Sequence, residues 1–242
     1  MTLIQSLILG LVQAISEFLP ISSSGHLNLT QHFFNLEPSL TLDIFLNTAT
    51  FLSVIFFFRN QFKYFFTNLK YIVIGSIPAA VIGVLFKDQI DILFSNVHLL
   101  PFFFIFSSLF VFSTKFFTSK ESKLNYQKAI IIGLFQSIAI LPGISRSGAT
   151  IFAALLLGLT PLEAFNFSFC LFIPASLGAL VLGIKDMSVS GIFTLQYLLT
   201  FILTLIVGII ALNILKKVVI SHKFWLFGVY TFILSLVLFF IL

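Results

Sequence analysis

Apolar residues dominate this chain in long runs, separated by short polar or basic segments. A helix needs about 20 mostly apolar residues to cross a bilayer. Six windows approach or reach that length: residues 45–58, 72–86, 101–112, 169–184, 197–215 and 224–242. The pattern predicts an all-α integral membrane protein with six transmembrane helices.

Two further segments, residues 2–34 and 127–159, start apolar, break at a Leu-Pro pair and continue into a serine-rich tip. The part that follows the first break is short and carries His26, Asn28 and Gln31, which an ordinary span would not contain. Non-helical backbone at membrane depth is tolerated only where protein or a watery cavity surrounds it. We therefore interpret each segment as a re-entrant helix hairpin.

The two hairpins are copies of one sequence. Residues 10–25, GLVQAISEFLPISSSG, align without a gap on residues 133–148, GLFQSIAILPGISRSG, with eight of sixteen positions identical. One membrane domain, 1–242, would thus consist of two repeats, 1–123 and 124–242, each a hairpin plus three spans. Because three is odd, the second repeat enters from the opposite face. The sequence therefore predicts an inverted-topology repeat with its functional site near the membrane midplane.

Composition and charge agree with a membrane location. Hydrophobic residues make up 59% of the chain and charged residues 9%, against about 25% charged in soluble domains. If the spans alternate, loops 59–70, 115–128 and 216–223 share one side and hold ten of the thirteen Lys and Arg residues. The positive-inside rule makes that side cytoplasmic and puts both termini outside. Because the basic residues are spread over three loops, no nucleic-acid surface is expected.

The serines after each break can cap a new helix, so two helix N-termini would face each other inside the protein. Free amide groups and the helix dipole make such ends suitable for phosphate. For the serines alone, capping is the simpler interpretation. Arg146 in the second tip favours an anion site, because a guanidinium at membrane depth usually marks a substrate path and its planar fork suits phosphate oxygens.

The first hairpin supplies the other ionisable groups at that depth. Gln13 and Glu17 share one helix face, and Ser23 and His26 are three apart at the start of the next helix. A hydroxyl, a candidate base, a carboxylate and an arginine together favour phosphoryl transfer. In the second repeat the positions of Glu17, Ser23 and His26 are taken by Ile140, Arg146 and Ala149. We expect one repeat to carry the chemistry and the other to hold the anion.

Two motifs, QAISEFLPISSSGH at residues 13–26 and LPGISRSGAT at residues 141–150, resemble those of the bacterial undecaprenyl pyrophosphate phosphatases linked to bacitracin resistance. The resemblance extends over essentially the whole chain. It implies hydrolysis of undecaprenyl pyrophosphate to the monophosphate and phosphate, which recycles the lipid carrier of cell-wall synthesis. It also implies a place in the bacterial inner membrane, with the site opening to the outer face, and a lipid substrate on which bacitracin also acts.

Residue by residue, the resemblance implies an essential carboxylate at Glu17, a nucleophile at Ser23, an acid/base partner at His26 and a phosphate clamp at Arg146. Substrate contacts are expected from Gln13, Ser22, Ser24, Gly25, Ser145, Ser147 and Gly148. Many relatives carry Glu at the position of Gln13. We expect a divalent cation, Mg²⁺ or Ca²⁺, with Glu17 as its one assigned ligand.

Several alternatives stay open on the sequence alone. Direct attack by water, with Ser23 only positioning it, fits nearly as well as a nucleophilic Ser23. Inverted repeats with broken helices facing an anion are also transporter architecture, so the rival function is a transporter or flippase of the polyprenyl phosphate carrier. Asp43 either stabilises a helix start or lines the site. The chain is also compatible with a homodimer.

Overall fold

The computed structural model describes residues 1–37, 40–94, 96–118, 121–184 and 194–242. Within these ranges the regular structure is helical and contains no strand, which confirms the predicted all-α class. The helices are α1 (Leu3–Phe18), α2 (Ser23–Phe33), α3 (Leu40–Phe57), α4 (Phe62–Thr67), α5 (Leu69–Leu85), α6 (Lys87–Phe94), α7 (Leu100–Ser113), α8 (Tyr126–Ile138), α9 (Arg146–Leu156), α10 (Pro161–Ile184), α11 (Leu195–Ile220) and α12 (Leu226–Ile241).

The six predicted spans fall on α3, α5, α7, α10, α11 and α12. In the described parts, three stretches are long and apolar enough to cross a membrane: Val97–Phe116, Pro161–Gly183 and Leu195–Ile220. A fourth is available if α5 and α6, bent by 78° at their junction, form one span. Helices α3 and α12 are apolar but shorter. The chain is a multi-pass membrane protein, and three or four of the six spans are supported by length.

Each Leu-Pro pair lies in the break between two helices: α1 ends directly before Leu19, and α8 ends at Ile138, three residues before Leu141. Proline lacks an N–H and disfavours helical backbone in the residue before it, and Leu19 is accordingly extended, with φ −63° and ψ 143°. The next helices begin at capping serines: Ser22 Oγ accepts the Gly25 N–H at 3.4 Å, and Ser145 Oγ accepts the Gly148 N–H at 3.0 Å. The helix–break–helix pairs α1–α2 and α8–α9 thus form at the two aligned sequences.

Each pair packs against helices from the other half of the chain. Helix α1 lies on α11, and α8 lies on α5. Helix α3 likewise packs on α11, α10 packs on α5, and α7 packs on α12. The α8–α5 contact is backbone to backbone, since a Cβ at Gly133 would overlap the carbonyl oxygen of Gly75. The crossed packing brings the two breaks together: Ser147 Oγ at the second break donates to the Phe18 carbonyl at the first, at 3.0 Å.

Candidate active site

A cavity of about 640 Å³ lies where the two tips meet. Its polar and charged lining consists of Gln13, Ser16, Glu17, Ser22, Ser23, Ser24, Asn28, Asp43, Asn47, Asp91, Ser145 and Arg146. Its apolar lining consists of Leu27, Phe94, Ala139, Ile140, Ile144 and Ala179. The cavity therefore combines a polar floor built by both repeats with an apolar wall contributed mainly by the second repeat.

Glu17 is the centre of this polar floor. Its Oε2 accepts a hydrogen bond from Ser23 Oγ at 2.5 Å, and its Oε1 accepts one from Arg146 Nη2 at 3.0 Å. The Glu17 and Arg146 side chains are 13% and 16% exposed, so this ion pair is largely removed from solvent. One carboxylate thus joins the hydroxyl of the first tip to the guanidinium of the second. The structure brings together three of the four predicted catalytic residues.

Gln13 extends the site from the same face of α1 as Glu17. Its Nε2 donates to Asn47 Oδ1 at 2.8 Å and to Glu17 Oε2 at 3.3 Å. Its Oε1 is buried and has no hydrogen-bond partner in the described part of the chain. A buried acceptor without a partner costs free energy that a bound donor or cation would recover. Gln13 is therefore placed to offer an oxygen to a ligand beside Glu17.

Arg146 is held so that half of its guanidinium remains available. The group stacks on Phe172, with Cζ 3.9 Å from the ring centroid. Nη2 is occupied by Glu17, whereas Nη1 is buried without a partner among the described residues. Stacking and one ion pair fix the plane of the fork, which leaves donors that suit a phosphate oxygen.

His26 makes no hydrogen bond to Ser23 within the described residues, although the resemblance implies that it is the acid/base partner of that hydroxyl. Its Nδ1 lies 2.8 Å from the Ser22 carbonyl oxygen, and its Nε2 lies 2.9 Å from Tyr230 Oη on α12. Both ring nitrogens are therefore engaged, and His26 is absent from the cavity lining. The acidic partner of Ser23 is Glu17 instead. The ring turns away because Phe104 and Tyr230 pack against it on the far side of α2.

Of the remaining tip residues, some line the cavity and others stabilise the starts of helices α2 and α9. Ser22, Ser24 and Ser145 line the cavity, as expected of substrate contacts. Ser147, Gly25 and Gly148 do not: they cap or pack the two helix starts, and Ser147 bonds to the Phe18 carbonyl. The two tips nevertheless share one pattern, in which Ser22 and Ser24 hydroxyls lie 3.3 Å apart and Ser145 and Ser147 hydroxyls 3.2 Å apart.

Besides Ser16 and Asn28, which lie in or just after the first motif, four residues of the cavity or its surroundings were not predicted as site residues, or only as an alternative. Asp43 lies in the cavity wall and accepts a hydrogen bond from Gln31 at 3.3 Å, which matches the alternative interpretation of that residue. Asn47 and Asp91 also line the cavity, and Tyr230 reaches His26 from α12. A polar residue inside an apolar run was the available signal for Asn47. For Tyr230 no local signal exists, because 204 positions separate it from His26.

The carboxylates of the cavity are candidate ligands for a metal ion. Within the described ranges, no cluster of three or more His, Cys, Asp or Glu side chains is arranged to hold one. A resident ion would therefore depend on few protein ligands and on oxygens of the substrate, which is how Mg²⁺ is commonly bound. The Glu17 carboxylate and the unpartnered Gln13 Oε1 are oxygen ligands of the right type.

Comparison with known proteins identifies the group to which these motifs belong. The family described as Bacitracin resistance protein BacA matches residues 6–237. The chain belongs to this family. Its relatives include proteins named undecaprenyl-diphosphatase from Thermosipho africanus, 39% identical over 97% of this chain and 98% of the relative, and from Methanococcus vannielii, 38% identical over 96% and 97%. Undecaprenyl-diphosphatase 2 of Bacillus thuringiensis is 37% identical over 96% of this chain and 95% of its own. The resemblance inferred from the two tips of this BacA-family chain is confirmed.

Proposed function

We propose that this protein hydrolyses undecaprenyl diphosphate to undecaprenyl phosphate and inorganic phosphate. The observation that carries the proposal is the position of Glu17, which holds the Ser23 hydroxyl and the Arg146 guanidinium at the wall of one cavity. The BacA-family relatives with that activity in their names cover nearly the whole chain. The apolar wall of Ala139, Ile140, Ile144 and Ala179 suits an isoprenoid tail that stays in lipid beside its charged headgroup.

Ser23 is the nucleophile, and Glu17 accepts its proton in place of His26. The Oγ attacks the terminal phosphorus, and the bond to the bridging oxygen breaks, which releases undecaprenyl phosphate and leaves phosphoserine. Glu17 then passes the proton to the leaving undecaprenyl phosphate and, again ionised, takes one from the water that attacks the phosphoserine phosphorus. The P–Oγ bond breaks, inorganic phosphate leaves, and Glu17 returns the proton to Ser23 Oγ. In the alternative route, water attacks directly while Ser23 positions it, and Glu17 serves as the same base.

The second repeat binds the anion. Arg146 Nη1 is the free donor of the guanidinium, and the amide groups at the starts of α2 and α9 add the positive ends of two helix dipoles. These groups are fixed before the reaction, so they stabilise charge on the equatorial oxygens without reorganisation. Ser22, Ser24 and Ser145 add hydroxyl donors at the cavity wall.

A divalent cation, Mg²⁺ or Ca²⁺, would assist this site. Glu17, Asp43 and Asp91 put three carboxylates in the cavity against the single guanidinium of Arg146, so a diphosphate meets an excess of negative charge there. Glu17 and Gln13 Oε1 would hold the ion together with phosphate oxygens. Bound there, the ion supplies charge neutralisation and polarises the phosphoryl group.

The site would open to the outer face of the bacterial inner membrane. The chain would form an inverted repeat of six spans and two re-entrant hairpins, with both termini outside. The crossed packing of α1 on α11 and α8 on α5 supports the repeat. The cavity extends to Asp91 and Phe94 in α6. Helix α6 follows the span 72–86, and because loop 59–70 before that span is predicted to be cytoplasmic, the residues after it are predicted to lie outside. From that face the enzyme would remove the diphosphate lipid on which bacitracin acts. A homodimer is compatible with this arrangement.

Phosphate release from undecaprenyl diphosphate by the purified protein in detergent tests the proposal. The wild type should release one phosphate per lipid, and Ser23→Ala and Arg146→Ala should each reduce release at least about a hundredfold, as for loss of a nucleophile or an electrostatic donor. Ser137→Ala is the matched control, because its exposed hydroxyl bonds only to the Leu134 carbonyl of its own helix among the described residues. A parallel series with EDTA and with added Mg²⁺ or Ca²⁺ tests the cation.

Wild-type protein that binds the lipid but releases no phosphate under any cation would overturn hydrolysis. A flippase assay with fluorescent polyprenyl phosphate in vesicles would then test the transporter. Full activity in EDTA would remove the cation from the proposal while leaving hydrolysis intact.

A further inference from the structure

The contact between His26 and Tyr230 ties α12 to the first turn of α2. Tyr230 Oη lies 2.9 Å from His26 Nε2, and the two rings are stacked with centroids 5.8 Å apart and planes 17° apart. His26 Nδ1 lies 2.8 Å from the Ser22 carbonyl oxygen, which can only accept. Nδ1 therefore carries a proton, and in the neutral ring Nε2 accepts the hydrogen bond of the tyrosine hydroxyl.

The residue held by this imidazole has a strained backbone. Ser22 has φ 71° and ψ 104°, a region that residues with a Cβ rarely adopt. Such conformations persist only where the surroundings over-determine them. The His26 hydrogen bond to the Ser22 carbonyl is one restraint, and the cap from Ser22 Oγ to the Gly25 N–H is another. The next residue in the chain is Ser23, whose hydroxyl must meet Glu17.

The second tip provides an internal comparison. Ser145, aligned with Ser22, has an unstrained backbone with φ −73° and ψ 121°. The residue aligned with His26 is Ala149, so this tip has no imidazole to hold its turn. The strained turn and the imidazole that restrains it therefore occur together in one repeat and are both absent from the other.

We propose that Tyr230 is a positioning residue for Ser23. Its hydroxyl orients the His26 ring, His26 holds the Ser22 carbonyl, and the restrained backbone directs Ser23 Oγ to Glu17 at 2.5 Å. This role rests on the proposed hydrolysis. It gives the last helix a part in the reaction that no sequence motif indicates, although Tyr230 does not line the cavity.

Tyr230→Phe tests this role, because it removes the hydroxyl and keeps the ring that stacks on His26. We expect kcat for phosphate release to fall about fivefold to tenfold, the effect of losing one hydrogen bond, with KM changed less than twofold. Tyr197→Phe is the matched control: Tyr197 also packs on a neighbouring ring, that of Phe45, and its hydroxyl has no hydrogen bond in the described part of the chain. It should retain wild-type kcat.

Repeating Tyr230→Phe in a Ser22→Gly variant distinguishes a positioning role of Tyr230 from any other role. Glycine adopts φ 71° without strain, so Ser22→Gly should make the turn independent of the His26 hydrogen bond. In that background Tyr230→Phe should change kcat less than twofold. An equal loss in both backgrounds, an unchanged kcat in the single variant, or a change in KM alone would each overturn the proposal. A wild type without phosphatase activity would instead overturn the proposed function.

The wild-type protein offers a readout that needs no variant. In ¹⁵N-histidine-labelled protein, His26 should show a protonated Nδ1 and a hydrogen-bonded, unprotonated Nε2 at neutral pH. Size-exclusion chromatography of every variant establishes that it is folded before kinetics are compared. A His26 ring protonated at Nε2 would overturn the proposal even if Tyr230→Phe could not be purified.

Discussion

The two hairpin tips have similar sequences and the same pattern of hydrogen bonds between serine side chains. Their backbone conformations nevertheless differ. The second tip turns at Gly143, with φ 88°, and leaves Ser145 unstrained. The first tip has Pro20 at the position aligned with Gly143, and proline is confined to φ near −65°. The positive φ is taken by Ser22 instead. The two turns differ at all three aligned positions 18–20 and 141–143, and the exchange of Pro20 for Gly143 is the one that affects positive φ. The first turn is strained beside the proposed nucleophile, and the second is relaxed beside the arginine.

The largest effect on activity is expected from removing the Glu17 carboxylate, which joins the two tips. Glu17→Gln keeps the shape but removes the proposed base and the charge facing Arg146, so kcat should fall about 10²-fold to 10⁴-fold. Phosphate release at saturating lipid measures it. The control is Glu163→Gln, since that carboxylate caps α10 by accepting the Thr160 N–H at 3.3 Å and lies outside the cavity lining.

A double variant tests whether the carboxylate can be moved from the first repeat to the aligned position of the second. Ile140, aligned with Glu17, also lines the cavity. Adding Ile140→Glu to Glu17→Gln should not restore activity, because the aligned position of Ser23 is Arg146 and offers no hydroxyl. Recovery to within tenfold of wild type would show that the division of roles between the tips is wrong.

A smaller effect is expected where the hairpins pack against the opposite half. At Gly133 a Cβ would overlap a backbone carbonyl of α5, whereas at Gly10 it would meet the Thr204 and Thr200 side chains, 2.6 and 2.8 Å away. Side chains can rotate and backbone cannot. Gly133→Ala should therefore lower the free energy of unfolding by about 1–3 kcal/mol, the typical cost of overpacking, and Gly10→Ala by less.

Thermal unfolding in detergent orders these variants by Tm. Gly178→Ala in α10 is the control, because nothing lies within 4 Å of its Cβ position and alanine favours the helix. Its Tm should equal or exceed that of the wild type. A Gly10→Ala variant less stable than Gly133→Ala would contradict the closer approach of α8 to α5.

Local chemistry explains why much of this site was predictable. In both aligned segments a Leu-Pro pair interrupts the helical sequence and a serine caps the next helix, so the breaks and the caps could be predicted locally. The serine-rich tips with Arg146 also indicated an anion site, whereas the ion pair between Arg146 and Glu17 became evident only from the structure. The direction of the His26 ring could not be predicted, because it depends on Tyr230, which is far away in the sequence. Asn47 and Asp91 reach the cavity only through the packing of α3 and the bend between α5 and α6, which no local pattern encodes.

The finest test of the two tips is one substitution made in both. At Ser145, glycine removes a cap and relieves no strain, so Ser145→Gly should lower the free energy of unfolding by a few tenths of a kcal/mol. At Ser22, glycine also loses the cap but removes a strain of about 1–3 kcal/mol. Because the relief exceeds the lost cap, Ser22→Gly should raise the Tm while Ser145→Gly lowers it. If both variants shift the Tm in the same direction, the backbone of Ser22 is not strained relative to that of Ser145. The turn at Ser22 would then need no restraint from His26.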